Sequence, residues 1–152
     1  MIHIQRRGVG AALLVSVLVA GCSGMMPAAD KSNLITFTTQ MRGGNEVPPV
    51  SSSASGQVDA VLNTDTNVLR WRLTFANLSG PARAGHFHGP AAVGANAGVV
   101  LPFPGQLGSP MEGSATLTAA QVADLMAGRW YANIHTAANP GGEIRGQMTL
   151  RR

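Results

Sequence analysis

The chain has 152 residues, one cysteine and a formal net charge of +4, and only 12% of its residues are charged. One cysteine excludes an internal disulfide framework, so a domain of this size must hold its core by packing alone. No basic stripe with interleaved aromatics is present, which argues against a nucleic-acid partner.

The first element is a leader. Arg6 and Arg7 precede an apolar run from Val9 to Ala20 that ends in "VAGCSG", the order of charge, apolar stretch and small residues that marks a secretory signal. Val19-Ala20-Gly21-Cys22 has the form of a bacterial lipobox, so residues 1–21 are expected to be a lipoprotein signal peptide. Cys22 is then the lipidation site, neither a disulfide partner nor a nucleophile, and each buried CH₂ of its acyl chains would contribute about 0.8 kcal/mol to membrane attachment. Residues 22–33 read as the lipidated cysteine and a flexible tether, and residues 34–152 as one domain. Ser23 after the cysteine points to a place in the cell envelope, at the outer membrane. Without Arg6 and Arg7, nine basic residues face seven acidic ones, so the basic balance is partly the leader's property.

From Leu34 onward apolar residues alternate with polar ones. In "VLRWRLTF" (68–75), Leu69, Trp71, Leu73 and Phe75 share one face, while Arg70, Arg72 and Thr74 share the other, as in a strand with one dry and one wet side. Similar runs occur at 34–41, 56–62, 84–89, 113–118, 129–136 and 143–150, and "GVVLPF" can add a short strand. "NTDTN" at 63–67 reads as a hairpin turn, and residues 90–110 as a long surface loop. Between Thr118 and Gly128, Val122, Leu125 and Met126 take helical spacing, with Thr118 as cap and Gly128 as terminator. The expected fold is all-β: an antiparallel, Greek-key-like β-sandwich or barrel of about 7–8 strands with one short helix near 119–127.

Beyond the leader the histidines are only three: His86 and His88 in "AGHFHGP", and His135 in "ANIHTAANPGGE". At i and i+2 on a strand His86 and His88 point the same way and Phe87 the other. In "WYANIH" the apolar phase is Trp130, Ala132 and Ile134, which leaves Tyr131, Asn133 and His135 on the polar phase. All three imidazoles are thus expected outside the core, where neighbouring strands could bring them together. Three neutral imidazoles suit a divalent ion, copper first and zinc as the alternative. Water, Met111 or Glu112 could supply a fourth ligand, and the sequence does not choose among them. Such a site would lose metal as pH falls through roughly 6.5. The competing reading is structural: His86 and His88 bond loop carbonyls around Gly85 and Gly89, and His135 caps the turn that follows it.

No serine sits in a G-x-S-x-G elbow and no carboxylate pair stands at acid–base spacing, so nothing points to a catalytic residue. "MRGGNEVPPV" reads as a rigid turn. Its Glu46 could pair with Arg145 of "GEIRGQM" as a structural clamp.

Together "GGNEVPPV", "AGHFHGPAAVGANAGVV" and "LMAGRWYANIHTAANPGGEIRGQM" resemble the CHRD domain, over about Leu34 to Leu150. The resemblance implies a histidine pair at His86 and His88, a histidine at His135, and the G-E-I-R-G segment at Gly142 to Gly146. The aromatic between the paired histidines stands where that family more often has a small aliphatic residue. A more distant similarity is to copper-zinc superoxide dismutases, in which an H-x-H strand and a later histidine bind copper. Here the zinc ligands, bridging histidine and disulfide are missing, which puts dismutase activity in doubt. The expected function is therefore an envelope domain that holds copper through His86, His88 and His135 for metal handling or simple redox chemistry. The alternative is a non-enzymatic structural or protein-interaction module.

Overall fold

The alternation of wet and dry positions becomes nine strands in the computed structural model, which describes residues 33–151. The leader, Cys22 and the tether up to residue 32 lie outside the described residues. In chain order the strands are β1 (Leu34–Arg42), β2 (Ser55–Asn63), β3 (Val68–Ala76), β4 (Ala82–His88), β5 (Val99–Pro102), β6 (Met111–Thr116), β7 (Tyr131–Thr136), β8 (Ile144–Gln147) and β9 (Thr149–Leu150). One helix, α1 (Ala119–Met126), links β6 to β7, and a 3₁₀ turn follows β1 at Gly43–Asn45. Among the described residues no helix is long and apolar enough to cross a membrane.

All pairings are antiparallel, and hydrogen bonding runs in the order β5-β4-β7-β8-β1-β2-β3-β6, with β9 also on β1. β1, β2 and β3 follow one another as hairpins. Asn63 shapes the turn between β2 and β3 by accepting from the backbone N–H groups of Asp65 and Thr66, and Asn67 takes φ +54°. Four strands separate β3 from β4 in the sheet, yet Trp71 and Phe87 meet edge to face at 5.4 Å. The sheet must therefore curl until its two halves face each other across one core.

Leu69, Trp71 and Leu73 are buried and Arg70 and Arg72 exposed, while Phe75, nearer the strand's end, is partly covered. Phe37 and Met41 of β1, Val58, Ala60 and Leu62 of β2, Phe87, Trp130, Ile134 and Ile144 complete the centre. The expected run at 143–150 divides in two, because Met148 leaves the ladder to fill the core and bonds its N–H to the Trp130 carbonyl. The helix has the capping box its sequence foreshadows: Thr118 accepts from the N–H of Gln121, whose side chain accepts from the N–H of Thr118. Leu125 is its buried residue, and Gly128 ends it at φ +68°.

Core packing leaves no room at Gly113 on β6, where an added Cβ would overlap the Trp71 indole. Gly113→Ala is therefore expected to cost about 1–3 kcal/mol, the usual range for overpacking. A urea midpoint equal to the parent's would show that the indole moves freely.

Candidate metal site

β4 and β7 are neighbours, and their register decides which outward side chains meet. His86 stands opposite Asn133, His88 opposite Tyr131, and His135 opposite Ala84, so His135 is the diagonal neighbour of His86. Diagonal positions across an antiparallel pair are within reach of long side chains. Phe87 points the other way and is fully buried, as pleating requires. The three imidazoles converge, with one ring nitrogen from each within 4.8 Å of the others.

The expectation of an exposed histidine face is corrected: His86 and His135 are half-buried, and His88 is 8% exposed. The cause is the segment after β4, which does not float as a surface loop but folds back over the outer face of β4, β7 and β8. Gly89 N–H bonds Gly98 O, Ala91 N–H bonds Arg129 O, and the Tyr131 hydroxyl bonds Ala97 O. Gln147 donates to Ala91 O, and Arg145 donates to Asn96 Oδ1 at 2.9 Å and Ala95 O at 2.6 Å. Tyr131 and Asn133 are consequently buried, although they belong to the polar phase of β7. His88 lies parallel to the Tyr131 ring at 4.8 Å, and the Arg145 guanidinium sits 3.4 Å from the same ring's centroid.

Hydrogen bonds fix how two of the rings are protonated. His88 Nδ1 is 3.0 Å from Ala97 O and His135 Nδ1 is 2.9 Å from Pro140 O. A carbonyl oxygen only accepts, so the neutral rings carry their protons on Nδ1 and leave Nε2 as a bare lone pair. Both Nε2 atoms lie 3.0 Å from Asn133 Oδ1, and His86 Nδ1 is 3.2 Å from His135 Nε2. Burial, together with the nearby His135 and His88, lowers the His86 pKa. His135 is lowered by burial too, with its bond to Pro140 opposing and His88 adding to the effect. His86 and His135 thus resist protonation, and their lone pairs stay available below the pH at which a free imidazole would charge.

The other sequence candidates lie elsewhere or do different work. Met111, on β6 at the far edge of the sheet, pairs with Leu73 of β3 and packs against the core, and the Glu112 carboxylate beside it accepts from the Arg72 guanidinium at 2.9 Å. Neither reaches the histidines. Glu46 and Arg145 form no ion pair; the guanidinium is committed to Asn96, Ala95 and Tyr131. Glu46 is 5% exposed, and its pKa is raised to about 7 by burial, against the attraction of Arg145 and hydrogen bonds from Val47 N–H and Asn133. Asn133 itself, which joins Glu46 to the histidines, was on the polar phase with His135 but carried no signal of its own. Glu143 is the second buried carboxylate: it accepts from Ser52, Ser79 and Thr136 and ties β7 to two loops.

Residues 37–148 match the family model described as CHRD domain. No curated protein and no solved structure matches the chain significantly.

Proposed function

We propose that this chain, which belongs to the CHRD domain family, binds one divalent transition-metal ion through His86, His88 and His135, with copper preferred and zinc as the alternative. The supporting observation is the convergence of three imidazoles, two of which have Nδ1 tied to backbone carbonyls so that Nε2 faces the common centre. Such outer bonds set ligand direction and basicity at metal sites. The donors are nitrogens with no thiolate or thioether among the described residues of the cluster, a set that favours Cu(II) over Cu(I), and copper stands at the top of the divalent affinity order. The role that follows is metal handling in the cell envelope, where Cys22 would hold the domain to the membrane.

The bonds to Ala97 and Pro140 also serve the structural reading, since they tie two loops to the sheet. His86 separates the two, because its contacts are with the other rings rather than with a loop. Copper titration of the parent domain and of His86→Ala, followed by calorimetry, tests the proposal. One ion per chain in the parent and a loss of affinity of tenfold or more in the variant are expected; equal titrations would leave the histidines as loop anchors.

A further inference from the structure

The amide of Asn133 decides whether the cluster has a fourth ligand. Its carboxamide lies between the two Nε2 atoms on one side and Glu46 on the other. Turned with Nδ2 toward the rings, it would donate to both and fill the centre with hydrogen bonds. Turned with Oδ1 toward them, it sets an oxygen lone pair beside two nitrogen lone pairs, an arrangement that a cation between them would hold together.

The partner on the far side selects the second orientation. Once ionised, above the value of about 7 to which burial raises it, Glu46 only accepts and so calls for Nδ2. Glu46 is almost wholly buried, and its Oε1 has no hydrogen-bond partner among the described residues, an orphaned acceptor on the side of Nδ2. Its position is enforced from below by Gly142: at φ +131° this glycine leaves open a space where a Cβ would overlap Glu46 Oε1 and would lie 2.9 Å from Asn133 Nδ2. Only glycine lets the carboxylate and the amide come together there.

Building on the three-histidine reading, we infer that Asn133 Oδ1 is the fourth ligand of the metal and that Glu46 is a positioning residue that holds the amide oxygen toward it. The ligand set is then three nitrogens and one oxygen, which suits tetragonal Cu(II). Glu46 does not touch the ion and acts through Nδ2.

The test is a cycle of Glu46→Leu, Asn133→Leu and the double variant, titrated with Cu(II) at pH 8 against glycine as competitor and read by electron paramagnetic resonance. Loss of the ligand in Asn133→Leu and of its outer partner in Glu46→Leu should each weaken binding at least about tenfold, the low end for an outer-shell change, and should alter the copper spectrum in the same way. The double variant should lose no more than either single one, and Glu46→Gln, which can still accept from Nδ2, should restore the parent spectrum. If Asn133→Leu does not fold, the spectra of Glu46→Leu and Glu46→Gln decide alone. An unchanged affinity and spectrum in Asn133→Leu, or in Glu46→Leu where that must decide alone, would overturn the inference while leaving three histidines bound to copper. Additive losses in the cycle would overturn the role of Glu46. A parent domain that binds no copper would overturn the three-histidine reading as well.

Discussion

Copper at a free concentration a thousand times its dissociation constant is expected to raise the unfolding free energy of the parent domain by about 4 kcal/mol. The variant in which His86, His88 and His135 are all alanine should gain nothing. The effect follows from linkage: the folded sheet brings the three rings within 4.8 Å, whereas in the unfolded chain His135 is separated from His88 by most of the second half of the sequence. Without metal the single variants should differ among themselves. His86→Ala removes no bond to a loop and should melt near the parent. His88→Ala removes one of the two bonds that Ala97 O accepts, the other coming from the Tyr131 hydroxyl, together with a ring packed on Tyr131, which should cost about 1–2 kcal/mol. Thermal melts with and without copper check both statements, and a copper-induced shift that survives in the triple variant would place the metal elsewhere.

The second large effect concerns Glu143, which is fully buried. Its carboxylate accepts from Ser79 Oγ and Thr136 Oγ1 at 2.6 Å each, and from Ser52 Oγ and Ser79 N–H at 2.8 Å each. Burial alone would raise its pKa, but these four donors outweigh it and hold the group at about 2, below the ordinary 4.5. A carboxylate depressed in the folded state stabilises it fully above the unfolded value, and that contribution is lost as pH falls through the folded one. The size implied by the shift is about 3 kcal/mol. Glu143→Gln should lower stability by a similar amount at pH 7, because the amide brings a donor into a set of donors. The gap between parent and variant should persist down to about pH 4.5 and close toward pH 2. Urea denaturation across that range reads it; a gap that ignored pH would mean that shape, not charge, holds the clamp.

Much of the fold was legible because it follows from local periodicity. Alternation in 68–75 requires a half-buried strand wherever it is placed, and the Thr118 and Gly128 signals bracket a helix by backbone chemistry alone. The pleat likewise put Phe87 inside and His86, His88 and His135 on the other phase. What local pattern does not carry is the second layer over that phase. Residues 90–98 are rich in alanine and glycine and read as loop, yet they cover β4 and β7 because Arg145 and Gln147 offer donors to their carbonyls across the sheet. For the same reason Glu46 and Arg145 looked like a charge pair. The guanidinium instead serves the covering segment, and the carboxylate turns to an amide that only the tertiary register brings near. Met111 and Glu112 are fourth-ligand candidates by residue type alone, and only the strand order, which sets β6 at the opposite edge from β4 and β7, places them away from the histidines.

Whether His86, His88 and His135 hold copper is read from the electron paramagnetic resonance spectrum of Cu(II) added in one equivalent to the parent domain, with the triple histidine variant alongside. A single axial copper signal with nitrogen couplings from imidazole is expected, saturating at one ion per chain and absent from the variant. A spectrum of free copper in the parent, or the same bound signal in both proteins, would contradict it.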